Sequence, residues 1–533
     1  MLKSLYNRIF TVKNAELLMV LLLCITAVGM PLSRFLMSFG TVAVAIAWVI
    51  SGNWKYKINN LKQNSFLWPI MALLVLHLLW VGRTANFSIA WHDFCGKLPL
   101  LFFPLVIGSF QLSRKQMLII LQVFVLAVLI STLVSLCVYL GIYIPKKKTV
   151  TNYRDISIFV SHIRLGIMCI MSVCSEIYIW YEHRYKLRLW HKITLAVTIV
   201  WFLYFTTLIQ AATSWVAALV AIVVLVVVKH RQINRWIFYS ILAVLGLGTV
   251  SSTLFVRDVY RDMNQVRDTT STLPELTLQG NRYTHNLKSN FVENGYYVYR
   301  YICQEELEQE WNKRSNIAIG GKDGKGQPIK QTLIRYMTSK GLTKDSCGVW
   351  QLTKKDINGI EDGFTSYIYV EKSGIYKRVY EVIWEINHYM NHKDPNGKSV
   401  CMRIEFFKAG LHIIKKNPWL GVGTGGNIEA FPQAYDEISS PLHNKYRFYA
   451  HNQYLTFIIT LGFIGFILAL ACMFAPLFMV KSTDFLLVTF CTIIFVSMLD
   501  EDALTRQLGC IMYAMLYALA LMLSQTPKPK DNV

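Results

Sequence analysis

The sequence predicts an all-α polytopic membrane protein, with about twelve transmembrane helices and one large, mainly helical extracytoplasmic loop. The chain has 533 residues, of which 54% are hydrophobic and only 16% are charged. Soluble domains average about 25% charged residues, so this composition indicates a membrane protein. Apolar segments recur along the chain, and one polar stretch of about 190 residues (257–450) interrupts them.

The apolar segments have lengths close to the minimum of about 17 residues for a spanning helix. They cover residues 17–33, 35–52, 66–82, 97–111, 117–143, 157–181, 190–208, 212–228, 236–256, 452–476, 484–500 and 505–524. The first segment follows three basic residues, as a signal peptide would. It lacks a cleavage site and leads almost directly into the second segment, so we interpret it as an uncleaved span.

Lysines and arginines in the short loops predict the orientation of the bundle. With both termini in the cytoplasm, the inner loops hold roughly 18 positive residues and the short outer loops roughly 8. The large loop then faces outward, to the periplasm or the cell exterior. The chain accordingly divides into an N-terminal membrane bundle of about nine spans (1–256), the large loop (257–450) and a C-terminal bundle of about three spans (451–533).

The net charge of +22 does not by itself indicate nucleic-acid binding. The basic residues cluster beside apolar segments, where they set topology and meet anionic lipid headgroups. We therefore expect membrane lipids as neighbours and no nucleic-acid partner. Four of the eleven cysteines lie on the predicted outer side, where one or two disulfides would form if that side is oxidising: Cys95, Cys303, Cys347 and Cys401.

The large loop has the composition of a folded module rather than of a linker. Helix-like stretches cover residues 297–314, 380–390 and 402–416, with turns rich in glycine and aspartate between them. The run 320–326 lacks the Gly-Lys-Ser/Thr ending of a nucleotide loop, so we interpret it as a surface turn. The tyrosine-rich run 296–301 fits either stacking on sugar rings or a buried helix face.

His451 is the first candidate for chemistry. It lies in the run 447–455, immediately before a long apolar span, which places it at the membrane surface. A neutral imidazole accepts a proton from a hydroxyl near pH 7, and sugar hydroxyls are poor nucleophiles that need such a base. A structural histidine is the alternative interpretation. His443 lies in less constrained surroundings and ranks below it. A histidine with arginines at the water–lipid boundary suggests chemistry on a lipid-linked anionic substrate.

Basic residues near the outer span ends are candidates for binding an anionic headgroup. Arg164 lies a few residues into the sixth span, where it would either snorkel to the interface or clamp a phosphate. The residues Lys146–Lys148 and Arg154 crowd one short outer loop, as tolerated exceptions to the charge rule or as a cationic rim. Arg403 opens a helix-like stretch and would pair with an acid such as Glu405 or contact substrate.

Two further runs carry weaker signals. The glycines of Asn417–Asn427 permit an anion nest of free N–H groups, although glycine turns between helices are common. The run Asp500-Glu501-Asp502 stands at an outer span end, where it is either a solvated cap of the last span or a divalent-metal site without visible neighbours. Metal-binding motifs are absent from the sequence, so we expect neither a metal nor another cofactor.

Several of these runs together resemble the O-antigen ligase and Wzy-type polymerase superfamily of bacterial multi-span membrane glycosyltransferases. The signature region of that superfamily is similar to Arg403–Gly425, to Ala450–Leu455 with its His-Asn-x-Tyr-Leu pattern, and to Gly462–Gly465. Its membrane portion is similar to this chain at Lys97–Pro104, Ser161–Gly166 and Leu499–Leu504. The resemblance covers nearly the whole chain.

The resemblance implies an inner-membrane glycosyltransferase whose large periplasmic loop carries the donor and acceptor site. Such enzymes move a glycan from undecaprenyl diphosphate to an acceptor without a metal or a nucleotide sugar. His451 and Arg403 would be the catalytic residues, with His451 as the general base. Arg403 and Arg164 would bind the diphosphate, and Lys97 and Arg447 would contribute charge to the same substrate site.

One departure from the family pattern concerns the cations. Many relatives carry a Ser-Arg pair at the outer start of the span near residue 212, whereas this chain has Ala212-Thr-Ser-Trp215. Another cation, from Lys146–Lys148 or Arg447, would have to replace that arginine. Because no side chain stands out as a nucleophile with a paired base, we expect direct displacement with inversion at the anomeric carbon and no covalent intermediate.

The leading hypothesis is a ligase that joins a completed polysaccharide to a lipid A–core acceptor. A polymerase of the same superfamily, which extends the glycan on its carrier, would use the same catalytic residues and is the alternative. An oligosaccharyltransferase acting on protein hydroxyls is a third hypothesis. A transporter or flippase is a fourth, although transporters typically show internal repeats and paired broken helices.

Overall fold

A computed structural model describes residues 11–144, 153–183, 188–232, 234–267, 273–372 and 374–527. The predicted all-α polytopic class is confirmed. Within the described residues, the regular strands are limited to one antiparallel pair, β1 (Val292–Glu293) and β2 (Tyr296–Tyr297). The chain forms two compact units, one comprising Met1–Asn234 with Met402–Val533 and the other Arg235–Cys401.

The first unit contains the helices on both sides of the inserted second unit. Its N-terminal helices are α1 (Val12–Leu32), α2 (Arg34–Ile50), α3 (Trp54–Gln63), α4 (Trp68–Leu79), α5 (Phe87–Gly96), α6 (Pro99–Ser109), α7 (Arg114–Tyr139), α8 (His162–His183), α9 (Leu189–Leu208) and α10 (Ala212–Val228). Its C-terminal helices are α18 (Ser399–Lys416, which enters this unit at Met402), α19 (Asn427–Glu437), α20 (Gln453–Met479), α21 (Phe485–Ser497), α22 (Gln507–Ile511) and α23 (Tyr517–Gln525).

Eight helices of the described chain are long and apolar enough to cross a membrane, or nine if the bent pair α2 and α3 counts as one span. Shorter apolar helices occupy the remaining predicted segments at 97–111, 212–228 and 484–500. The count of twelve spans stays a prediction. The C-terminal segment from α22 to α23, which includes a π-helical stretch at Met512–Leu516, is almost entirely buried and forms part of the core of the first unit.

Helix α20 is broken at Gly462, whose φ of 67° and ψ of −177° interrupt the helical backbone. The break frees backbone groups, and the glycine-rich connection before α19 satisfies them. The N–H of Phe463 donates to the Pro418 carbonyl (2.8 Å), while the N–H of Val422 donates to the Ile459 carbonyl (2.9 Å). The N–H of Gly423 donates to the carbonyl of Thr460 in the same way (2.8 Å).

This exchange corrects the interpretation of the glycine run as an anion nest. Two of its N–H groups bond helix carbonyls instead of facing an open concavity. The glycines are needed because the two backbones meet closely: a Cβ added at Gly462 would lie 2.2 Å from the Trp419 carbonyl oxygen. The run therefore fixes the course of α20, and with it the position of the residues that precede this helix.

The second unit has its own cores. Its helices are α11 (Arg235–Asn264), α12 (Gln304–Arg314), α13 (Ile329–Ser339), α14 (Ser346–Trp350), α15 (Lys354–Glu361), α16 (Ile368–Glu371) and α17 (Gly374–His392). Trp311, Leu333 and Tyr336 are fully buried in one cluster, and a second cluster joins Val259 of α11 to Tyr380 of α17. Burying large side chains of this kind stabilises a unit by about 1.5–3 kcal/mol each.

The secondary structure of this unit differs from the prediction in one place. The predicted helix over 297–314 begins only at Gln304. Tyr297 belongs to β2, and residues 298–303 form turns and an isolated bridge at Ile302, with Tyr301 at φ 54°. The helices predicted at 380–390 and 402–416 lie inside α17 and α18. All eleven cysteines are free thiols, so the disulfides considered for the outer side are not formed.

The close approach at Gly462 predicts the effect of adding one methyl group. Gly462→Ala should cost about 1–3 kcal/mol, since it forces a left-handed alanine against a fixed carbonyl. The thermal unfolding temperature of the detergent-solubilised protein should fall by several degrees. Gly246→Ala is the control, because Gly246 lies inside helix α11 with open space around it. Equal unfolding temperatures for the two variants would contradict the role given to Gly462.

Candidate active site

Three consecutive carboxylates follow α21 and organise the predicted site residues. Asp500, Glu501 and Asp502 lie in the turn between α21 and the short 3-10 segment Ala503–Thr505. Each of the three carboxylates contacts a different residue that the sequence had predicted for the site. This finding replaces the interpretation of the run as a solvated cap or a metal site.

Asp502 holds the backbone at His451. Its carboxylate accepts hydrogen bonds from the N–H groups of His451 (2.9 Å) and Asn452 (3.0 Å), and from the Thr456 hydroxyl (2.6 Å). The Asn452 side chain in turn caps α20 by accepting from the N–H of Leu455 (2.9 Å). His451 adopts φ 49°, a conformation that costs energy for a residue with a side chain, and these bonds offset that cost.

The His451 imidazole is half-buried and flanked by aromatic rings. The ring centroids of Phe406 and Phe448 lie 5.5 Å and 6.1 Å from that of His451. Burial lowers the pKa of His451 below its ordinary value; Asp502 opposes this shift, and the nearby Arg403 charge adds to it. Neither ring nitrogen has a hydrogen-bond partner within the described ranges of the chain. The site therefore holds a neutral imidazole with an available acceptor nitrogen near pH 7.

Arg403, near the start of α18, forms an ion pair with Asp500, which also accepts a hydrogen bond from the Thr213 hydroxyl at the start of α10. Glu405, the acid suggested from the sequence, instead pairs with Lys408 (2.7 Å). The side chain of Arg403 is 39% exposed, so its guanidinium reaches solvent while the pair fixes its position. A guanidinium held this way can still offer donors to an anionic ligand.

Arg164 is paired with Glu501 through its Nε atom (2.8 Å). Its helix, α8, approaches α10 closely at Gly166, where an added Cβ would lie 2.5 Å from the side chain of Ser214. The glycine of the Ser-His-Ile-Arg-Leu-Gly run therefore permits the helix packing that brings Arg164 to Glu501.

Arg164 also lines a cavity of about 550 Å³ together with two arginines that the sequence analysis had not selected, Arg34 and Arg506. Both are exposed, and neither has an acidic partner within the described part of the chain. Glu501 is the acidic residue of this cavity, and its carboxylate is engaged by Arg164. The cavity therefore carries a positive charge suited to an anion.

The structure places the other predicted cations elsewhere. Lys97, at the C-terminal end of α5, is buried in an ion pair with Asp93 (2.5 Å). Arg447 pairs with Asp436 (2.6 Å) and donates to the Leu442 carbonyl (3.1 Å). The roles proposed for both in substrate binding stay predictions. Lys146–Lys148 lie outside the described residues.

Residues 363–470 match the family model Wzy_C, described as O-Antigen ligase. This region is therefore similar to the O-antigen ligase domain that the model describes. No curated protein matches the chain significantly.

The matched region runs from before α17 into α20, so it includes both Arg403 and His451. The resemblance predicted from the sequence is confirmed for the superfamily. The other residues of the site lie outside the matched region. Arg164 precedes it, and the three carboxylates follow it.

Sequence reasoning missed Arg34, Arg506 and the positioning role of the three acids. One signal was present: the acidic run, Arg34 and Arg506 all occur at predicted outer span ends, where charges beside a bilayer need partners. Which acid meets which base depends on helix packing, and the sequence alone did not contain that information.

The surroundings of His451 predict the direction of its titration. Modification by diethyl pyrocarbonate requires the neutral imidazole, so its rate should rise with pH around a midpoint below about 6.5. Arg403→Gln should move that midpoint up, because a repelling positive charge is removed. Asp502→Asn should move it down, because an attracting negative charge is removed. Peptide mapping by mass spectrometry measures the modified fraction. Shifts of the opposite sign would exclude this electrostatic account.

Proposed function

We propose that this protein is an O-antigen ligase that moves a glycan from undecaprenyl diphosphate to a sugar hydroxyl of lipid A–core. The observation that carries the proposal is the three-acid turn, which contacts His451, Arg403 and Arg164. Two of these residues, Arg403 and His451, lie in the region that matches the O-antigen ligase model. A base and two arginines are what this transfer requires, since the donor already has a good leaving group.

In the proposed reaction, the acceptor hydroxyl oxygen attacks the anomeric carbon of the glycan. His451 takes the hydroxyl proton as the new carbon–oxygen bond forms. The bond between that carbon and the diphosphate oxygen breaks, and undecaprenyl diphosphate leaves with the electron pair. Displacement in one step inverts the anomeric configuration. The transfer needs no oxidant, reductant or nucleotide.

The arginines support the leaving group in this scheme. Planar guanidinium groups bind phosphate oxygens through paired hydrogen bonds, which strengthen as negative charge accumulates on the diphosphate. The cavity lined by Arg34, Arg164 and Arg506 supplies such donors. It also offers cations in place of the arginine that many relatives carry near residue 212. We further propose that the site faces the periplasm from the inner membrane, with the loop 257–450 outside.

The decisive experiment is reconstitution of the purified protein with a glycan on undecaprenyl diphosphate, in EDTA, with and without lipid A–core. Glycan on lipid A–core would establish a metal-independent ligase. Longer glycan that remains on the carrier would make the protein a polymerase and overturn the acceptor assignment. If neither product forms while the donor is bound, the transferase proposal fails.

In this assay, His451→Ala should reduce the transfer rate by at least about 10²-fold, because a positioned general base contributes about 10²–10⁴-fold. Binding of the donor should change little. His443→Ala is the matched control, since His443 is exposed and lies in the same connection. The wild-type rate should fall as pH drops through the lowered pKa of His451, because protonation removes the base. Full activity of His451→Ala would exclude this residue as the base.

Arg34 and Arg506 predict a different kinetic effect. Arg34→Gln and Arg506→Gln should each raise the KM for the lipid-linked donor about tenfold, since a charged hydrogen bond contributes about 1.5–3 kcal/mol. The value of kcat should change less. Arg257→Gln is the control, because Arg257 is 66% exposed in a surface pair with Asp258. An unchanged KM in both cavity variants would remove this cavity from the donor site.

A further inference from the structure

The second unit contains a polar cavity that the proposed chemistry does not use. Its volume is about 540 Å³, within the range of about 300–1,000 Å³ typical of small-molecule sites. Its walls come from the end of α11, the residues around β1, and one face of α17. The lining is dominated by asparagines and aromatic rings, with one buried carboxylate; it includes Asn290, Phe291, Glu293, Trp384, Asn387 and Asn391.

A tight hairpin places the carboxylate. Glu293 pairs with Tyr296 across the two-residue turn Asn294-Gly295, in which both residues have positive φ (50° and 87°). Asn-Gly is the preferred pair for this type of turn. The Asn294 side chain fixes the hairpin by donating to the Ser339 carbonyl (3.1 Å) and accepting from the Tyr380 hydroxyl (2.7 Å). The position of Glu293 is therefore set by the fold.

Glu293 is 3% exposed and only partly satisfied. Its Oε1 atom accepts from the Nε of Arg335 (2.6 Å), but its Oε2 atom has no partner in the described ranges. Burial raises the pKa of Glu293 to about 7, and the Arg335 charge opposes that shift. A buried carboxyl oxygen without a partner, in the wall of a cavity, is an acceptor for a ligand hydroxyl.

Trp384 supplies an aromatic surface beside this carboxyl. The Arg335 guanidinium lies 5.7 Å from the centroid of the Trp384 ring and 5.4 Å from that of Phe291. Arg335 thus contacts both the carboxyl and the rings, and one face of Trp384 also stacks on His388 with ring centroids 5.0 Å apart. The indole N–H of Trp384 has no hydrogen-bond partner in the part of the chain that is described, so it adds a donor.

Amide groups complete the lining. The Asn387 side chain donates through its amide nitrogen to Asn264 (2.7 Å). The side-chain carbonyl oxygen of Asn387 is left available. The amides of Asn290 and Asn391 are exposed and have no side-chain partner among the described residues. Each amide offers both donors and acceptors, which suits a ligand with many hydroxyl groups.

The lining disfavours two other ligand classes, lipid chains and phosphates. The cavity is too polar for a lipid chain. Lysine and arginine are absent from its described lining, and Arg335 nearby is paired with Glu293, which disfavours a phosphate. A pyranose fits the aromatic ring, the amides and the carboxyl of this lining. Its C–H face packs on the ring, and its hydroxyls meet the amides and the carboxyl.

We propose that this cavity binds one sugar unit of the glycan substrate, with Trp384 under the ring and Glu293 accepting a hydroxyl. The proposal rests on the proposed function, because a glycan substrate is what would bring a sugar to this unit. It assigns to the insertion a recognition role separate from the transfer step.

Saturation-transfer NMR and intrinsic fluorescence titration of the full-length protein in detergent test this assignment. The probes are glucose, galactose and N-acetylglucosamine, with their disaccharides. Trp384→Ala, Glu293→Gln and Asn391→Ala should each weaken binding at least tenfold. Asn391→Ala guards against misfolding, since its side chain is exposed and unpartnered. Trp350→Ala and Glu310→Gln are matched controls in the same unit and outside the cavity, and they should bind as the wild type does.

Transfer assayed on the same preparations separates the two proposals. If the wild type transfers glycan but binds none of the probes, or if the cavity variants bind as the wild type does, the sugar site is overturned and the transferase stands. If the cavity variants lose saccharide binding while no preparation transfers glycan, the sugar site is supported and the proposed function fails.

Discussion

The carboxylates of Asp500, Glu501 and Asp502 connect three parts of the first unit that are far apart in sequence. One carboxylate holds a guanidinium from α18, the next holds one from α8, and the third holds the backbone just before α20. Charges at the edge of a membrane bundle are costly unless they are paired. Each carboxylate is engaged, and together the three position the residues to which we assign catalysis.

The arrangement also leaves the important groups available. Asp502 uses its oxygens on backbone N–H groups and a hydroxyl, so the His451 ring is positioned without being engaged. Arg164 contributes only its Nε to Glu501. The geometry thus separates the atoms that hold a side chain in place from those that can meet a substrate, as a preorganised site requires.

Backbone hydrogen bonds at the Gly462 break also help to position the site. The break in α20 at Gly462 is stable because the glycine-rich connection supplies donors and acceptors for the freed groups. Unpaired backbone groups in an apolar bundle would each cost several kcal/mol. The reciprocal bonds fix where α20 begins, and that start carries Asn452 and His451. Glycine is required at Gly462 for sterics and not for flexibility.

The order of residues was enough to predict the class of the fold and the residue types of the candidate site. Hydrophobic segments of spanning length predict helices, because no other single element satisfies its own backbone hydrogen bonds in a bilayer. The resemblance at the His-Asn-x-Tyr-Leu run selected His451 as the candidate base. Arg403 and Arg164 followed from the same resemblance. Helix packing set which groups meet. The acidic run positions all three, Arg34 and Arg506 join Arg164, and Lys97 and Arg447 have other partners. It also put Tyr297, the first residue of a predicted helix, in the hairpin that carries Glu293. These features depend on which helix ends meet in space. A local sequence pattern gives the residues of each helix end but does not show which other helix ends lie next to it.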